Sequence, residues 1–208
     1  MSGGSVGEGD GTLRFGRVEG TQADGSLGRK RSLAMGNAGK LQELLSQKGR
    51  VFYHFTDSRN LPSIREHGLL SMHELRQRRI IMAPGGNDWS IEADKRSGMD
   101  RYVHLCFFEE HPMEYLAQKE GRVEKTRFLR IDPAVLTLDG VLISTEVSNK
   151  ANALPQSADK MVGKLDLEVI YTRTDWKDPK IQVRLRAARK CELLVPDHVP
   201  IDLIRNAK

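Results

Sequence analysis

The sequence predicts an α+β domain, and three observations carry that expectation. Short runs of β-branched and aromatic residues recur along the chain, with Val51–Thr56, Tyr102–Phe108 and Leu193–Val195 the clearest. Between them lie segments with apolar residues at i, i+3 and i+4, such as Leu41, Leu44 and Leu45 or Met113, Leu116 and Ala117. The two kinds of segment do not alternate regularly, so a βαβ series with a parallel sheet is not expected.

Taken in order, residues 1–35 are glycine-rich and poor in large apolar side chains. Such a segment buries too little surface to offset the entropy of ordering it, so a loosely held tail is expected there. The folded domain is expected over 36–208, with its main body starting near Arg50. Residues 38–48 read as a short helix. Val51–Thr56 reads as a strand, and Asp57, Ser58 and Asn60 supply turn and capping chemistry. A helix is expected over Leu61–His67, with Pro62 in its first turn and Gly68 as its left-handed terminator. Leu75–Ile81 is either a helix or an arginine-rich loop. Ala83 to Asp88, with Gly85-Gly86, is a breaker.

Ser90–Arg96 reads as a short helix, Tyr102–Phe108 as an apolar strand and Pro112–Gly121 as a helix. Strands are expected at Arg127–Ile131, Val141–Ser144 and Val169–Tyr171. Pro179–Arg189 reads as a helix. Leu193–Val195 and Ile201–Ile204 close the chain.

Composition bounds the function classes. The 208 residues suffice for one good core, and 38% hydrophobic with 29% charged residues is ordinary for a globular protein. The net charge of +5 permits a polyanionic partner without requiring one. Two cysteines, Cys106 and Cys191, build neither a disulfide framework nor a zinc site, and both read as reduced core thiols. No apolar run reaches membrane-spanning length and no secretory signal is visible, so a cytoplasmic protein with no membrane partner is expected. The six histidines are scattered, so no metal is expected. P-loop, dinucleotide and His-Glu-x-x-His patterns are all missing from the sequence.

Glu192 stands out. It lies in Ala-Arg-Lys-Cys-Glu-Leu-Leu-Val-Pro (188–196), between a basic stretch and a strand-like apolar run. A carboxylate is costly to bury there unless it has a task. The alternative is a strand-edge glutamate in solvent. The basic stretch holds Lys180, Arg184, Arg186, Arg189 and Lys190, which either bind phosphates of a single strand or form an ordinary solvated helix face. Tyr171 and Trp176 either stack on bases or belong to the core.

Three blocks in order carry a family resemblance. The first is Tyr53-His54-Phe55-Thr56 with Asn60-Leu61-Pro62-Ser63-Ile64 and Gly68-Leu69-Leu70-Ser71. The second is Tyr102-Val103-His104-Leu105-Cys106-Phe107-Phe108 followed by Pro112-Met113. The third is Trp176, then Glu192-Leu-Leu-Val and Val199-Pro200 with Leu203-Ile204. Over about 51–207 the chain resembles the DarT family of DNA ADP-ribosyltransferases, toxins of toxin–antitoxin systems. The resemblance implies the ADP-ribosyltransferase fold, a split antiparallel sheet core with flanking helices that clamps NAD⁺. It implies ADP-ribose transfer from NAD⁺ to a base of single-stranded DNA without a metal, and a cognate antitoxin that removes the modification. The alternatives are the same chemistry on RNA or protein, and a nucleic-acid-binding module without turnover.

By the same resemblance Glu192 is the catalytic carboxylate and Arg96 the catalytic arginine, with Arg78 and Arg79 as competitors for the latter. His54 holds NAD⁺, and Thr56, Asn60, Gly68, Leu69 and Ser71 cradle it. Thr56 reads equally as a plain strand threonine, Asn60 as a helix cap and Gly68 as a helix terminus. Where the family has Val-Pro-Phe, this chain has Val103-His104-Leu105. That departure points to another branch of the family and leaves the target base open.

Overall fold

A computed structural model describes residues 35–83 and 85–207. The expected N-terminal tail therefore lies almost wholly outside the described residues. The order along the chain is α1 (Asn37–Gln47), β1 (Phe52–Asp57), α2 (Leu61–His67), β2 (Leu69–Leu70), α3 (Met72–Gln77), α4 (Asp88–Ser97), β3 (Tyr102–Cys106) and α5 (Pro112–Lys119). It continues with β4 (Thr126–Ile131), β5 (Leu142–Ser144), β6 (Gln156–Ser157), α6 (Ala158–Met161), α7 (Leu167–Tyr171), α8 (Pro179–Ala188), β7 (Glu192–Pro196) and β8 (His198–Val199). Short 3₁₀ turns join several of these.

Six strands form one antiparallel sheet in the order β4-β1-β3-β7-β5-β6. Its pairing is uneven. β1 pairs with β4 along its whole length, from Phe52↔Ile131 to Asp57↔Thr126, and β3 pairs with β7 from Tyr102↔Pro196 to Cys106↔Glu192. Between β1 and β3 the single registered pair is Tyr53↔Cys106. The sheet is thus split into a two-stranded and a four-stranded half that diverge from that pair.

The core lies on one side of the sheet, where Phe52, Leu105, Leu129, Ile131, Ile143 and Leu193 are completely buried. Phe52 and Phe107 meet edge to face across the seam, ring centres 5.3 Å apart, a favoured aromatic geometry. Helix α1 closes this layer with Leu41 and Leu45, the i and i+4 positions of its apolar stripe.

Local sequence explains most boundaries. Asp57 caps the 3₁₀ turn at 58–60, Asn87 caps α4 and Asp178 caps α8, each by accepting a main-chain N–H. Two elements differ from expectation. Residues 169–171 are the end of helix α7 and not a strand. Asp166 accepts from Val169 N–H at 3.4 Å, and this cap, with Val169 and Ile170 turned into the core, outweighs the strand preference of their side chains. The arginine-rich segment is helical earlier than expected, over Met72–Gln77, because Ser71 caps it. It stops where Arg79 takes a left-handed conformation, φ 57°. The closing segment 201–203 is a 3₁₀ turn.

Candidate active site

Glu192 opens β7, opposite Cys106 of β3 and Ser144 of β5. Its side chain is only 12% exposed, so it is not a solvated strand-edge carboxylate. Oε2 accepts a hydrogen bond from Ser148 N–H at 3.0 Å and lies 3.5 Å from His104 Nδ1. Burial pushes this carboxyl toward protonation, but the His104 ring and the Ser148 donors outweigh it and hold its pKa below the usual value.

His104, in the middle of β3, was missed as a site residue. Its Nε2 donates to Met99 C=O at 3.0 Å, and its Nδ1 faces both Glu192 Oε2 and Ser148 Oγ, the latter at 3.4 Å. The Met99 carbonyl only accepts, so Nε2 carries a proton; Nδ1 meets a carboxylate and a hydroxyl, and a proton there makes the ring an imidazolium. Burial opposes that charge, but Glu192 and, from α4, Asp94 favour it more strongly and raise the pKa to about 9. The signal was present in the alternation of β3. Val103 and Leu105 are buried, whereas Tyr102, His104 and Cys106 share the less buried face.

His54 stands one residue past the last registered pair, where β1 leaves β3. Its Nδ1 bonds the main-chain carbonyl of His104 at 2.9 Å, bridging the opening of the split. Because a carbonyl can only accept, Nδ1 carries the proton and Nε2 is an acceptor. Burial, with a smaller push from the nearby His104 and His111, lowers the His54 pKa to about 4, so the ring is neutral near pH 7. Thus His54, His104, Glu192 and Ser148 form a continuous line of contacts across β1, β3, β7 and the loop after β5.

The other residues expected to cradle a cofactor serve the scaffold directly. Asn60, 4% exposed, donates to Thr56 Oγ1 at 3.0 Å and to Ala83 C=O at 2.8 Å, and accepts from Ala83 N–H at 2.9 Å. It clamps the segment that follows α3, and Thr56 supports it. Gly68 ends α2 with φ 75°, and a β-carbon there would sit 2.5 Å from Val199 O. Only glycine lets β2 pair with β8, a pairing that buries Leu69 against the core. Ser71 caps α3, and its N–H donates to Asp197 C=O at 2.7 Å.

The structure does not bring Arg96 to Glu192. It is exposed near the end of α4, two residues past Asp94, and at about 100° per residue it projects from a different side of the helix. Of its competitors, Arg78 pairs with Glu74 at 2.8 Å.

The basic stretch is divided by its partners. Arg184 binds the α7 cap Asp166 at 2.6 Å and Glu168 at 2.5 Å, fastening α8 to α7. Arg189 pairs with Glu110 at 2.5 Å and Lys190 with Glu146 at 3.4 Å. Among the described residues, Lys180 and Arg186 are exposed with no side-chain ion pair. Trp176 is 65% exposed and not part of the core, whereas Tyr171 is packed against it. Both cysteines are free thiols pushed up by burial, Cys106 to about 12 and Cys191 to about 11.

Among the described residues no group of three His, Cys, Asp or Glu side chains is placed to hold a metal, and no helix is long and apolar enough to cross a membrane. An antiparallel sheet split at its centre, with helices around it, is the architecture of ADP-ribosyltransferases. Solved structures share that fold. Thermus sp. 2.9 DarT in complex with ADP-ribosylated ssDNA superposes with a TM-score of 0.56 at 20% identity, covering 76% of this chain and 79% of that one. The same protein in complex with NAD⁺ gives 0.51 at 20% identity, covering 74% and 78%. Thermosipho africanus DarTG in complex with ADP-ribose gives 0.55 at 21% identity. There the match covers 74% of this chain but 42% of the other, so this chain spans less than half of that relative. No curated protein matches. A family model described as DarT, ssDNA thymidine ADP-ribosyltransferase, matches residues 53–206. The chain belongs to the DarT family.

Proposed function

We propose that this protein transfers ADP-ribose from NAD⁺ to a base of single-stranded DNA, with Glu192 as the catalytic carboxylate. The observation that carries this reading is the shielded, ionised Glu192 on β7, one strand in from the split. The hydrogen bond it accepts from Ser148 N–H and the His104 contact both fall on Oε2, and Oε1 is the oxygen proposed to meet the substrate.

The nicotinamide–ribose bond breaks with its electron pair leaving on nicotinamide, and positive charge builds on the ribose. A fixed carboxylate stabilises that charge more than it stabilises the ground state. As the acceptor nitrogen bonds the ribose carbon, Glu192 can take the proton that nitrogen sheds. His54 Nε2 suits a hydrogen bond from a ribose hydroxyl of NAD⁺. The cradle residues Thr56, Asn60, Gly68, Leu69 and Ser71 act through the backbone they position. Arg96, an exposed cation, suits phosphate contact better than contact with the reacting ribose. Lys180 and Arg186 are offered to the DNA backbone and Trp176 to a base. A base edge must be unpaired to accept the group, which favours a single strand.

The family description makes thymidine the first base to test. The family resemblance supports a toxin role and an antitoxin that removes the ADP-ribose, and action in the cytoplasm is proposed with them. The test is incubation of the protein with NAD⁺ and single-stranded oligonucleotides differing in one base, read by mass. One ADP-ribose adduct is expected, and Glu192→Gln should lower its rate by about 10²–10³. NAD⁺ left intact with every DNA acceptor would refute the reading. Free ADP-ribose formed without DNA would make the protein a glycohydrolase.

A further inference from the structure

We propose that His104 is a positioning residue for this transfer: it anchors one oxygen of Glu192 so that the other faces the ribose. The inference rests on the reading of Glu192 given above. Its geometric basis is independent of the family, whose strand has proline at this point.

The ring is held at both ends. Nε2 donates to Met99 C=O at 3.0 Å, in the 3₁₀ turn that enters β3, and this fixes the plane of the imidazole. Nδ1 then points at Glu192 Oε2, 3.5 Å away, with Ser148 Oγ at 3.4 Å. Ser148 N–H reaches the same Oε2 at 3.0 Å. A main-chain donor and a histidine ring from two different elements converge on one oxygen, which restricts rotation of the carboxylate. Orientation of this kind carries much of the rate in a site where a displacement of about 1 Å can cost 10²-fold.

The charges around the ring are mixed. Glu192 faces it from β7 and Asp94 from α4, with Asp100 close to Asp94. The neutral His54 stands on β1, His111 precedes α5, and the Cys106 thiol lies two residues along β3. The two carboxylates nearest the ring among the described residues favour the imidazolium, and the imidazolium in turn keeps Glu192 ionised.

Two measurements test this. The first follows the His104 ring by long-range proton–nitrogen NMR across pH, and needs neither turnover nor a His104 variant. A wild-type imidazolium persisting to about pH 9, replaced in Glu192→Gln by a ring that titrates below 7, is expected. A wild-type ring neutral at pH 7 overturns the proposal. The second compares pH–rate profiles of wild type and His104→Gln for DNA modification. We expect kcat to fall about 10–100-fold with KM for NAD⁺ within about twofold, and the acid limb to move to higher pH because Glu192 has lost its counter-charge. An unchanged profile with wild-type kcat overturns it, as does a loss confined to KM. A wild type that modifies no DNA while the imidazolium persists refutes the proposed function and leaves the pairing standing.

Discussion

Replacing Asn60 with aspartate keeps the shape of the side chain and changes one donor into an acceptor. Asn60 Nδ2 donates to Ala83 C=O at 2.8 Å and to Thr56 Oγ1 at 3.0 Å, while Oδ1 accepts from Ala83 N–H at 2.9 Å. Aspartate keeps the last bond. The Thr56 hydroxyl can turn and donate to the new oxygen. The Ala83 carbonyl cannot, so a hydrogen bond becomes a close approach of two oxygens, one of them charged, at a residue 4% exposed. A net loss near 1 kcal/mol per hydrogen bond, plus the cost of a buried charge, gives about 2–4 kcal/mol. For a domain of this size that lowers Tm by about 5–15 °C. The assay is urea denaturation without NAD⁺, at pH 7 and again below about pH 4, where a protonated aspartate can donate to Ala83 and the deficit should shrink. Wild-type stability at pH 7 combined with weakened NAD⁺ binding would refute this reasoning and make Asn60 a direct ligand of the cofactor.

Three further outcomes are expected. Gly68→Ala should destabilise by about 2–4 kcal/mol in urea, because its β-carbon meets Val199 O at 2.5 Å and the backbone is at φ 75°. Arg184→Ala and Arg186→Ala should separate scaffold from DNA contact: the first lowers the urea midpoint with an unchanged salt slope of binding, and the second leaves stability unchanged and reduces the slope by about 0.7. His54 is neutral when folded, with a pKa near 4 against about 6.5 unfolded, so its contribution is complete above 6.5 and lost as pH falls toward 4. Denaturation of wild type should therefore lose about 2 kcal/mol between pH 7 and pH 5 that His54→Gln does not lose.

Much of the fold was legible because local signals are strong here. The caps at Asp57 and Asp178, the terminator Gly68 and the i, i+3, i+4 stripes mark elements within a few residues of where they stand. The segment 169–171 misled because Val169, Ile170 and Tyr171 favour strands, whereas the Asp166 cap and the Arg184 pair behind it act from outside that window. The order of the motifs singled out Glu192 and His54, and the structure shows Glu192 shielded on β7 and His54 bonded to the His104 carbonyl where β1 leaves β3. Asn60 and Ser71 were expected to cradle the cofactor; the partners the structure shows for them are Ala83 and Asp197, both distant in sequence.

The sequence by itself determined the α+β class and the family, because these rest on periodicity, turn chemistry and motif order along one chain. Tertiary structure alone decided three further matters: which cations are already paired, where β1 parts from β3, and that His104 and Ser148 meet Glu192. Those contacts join residues up to 88 positions apart, His104 to Glu192. They are set by strand register and by the path of a loop, and neither leaves a periodic trace in the sequence.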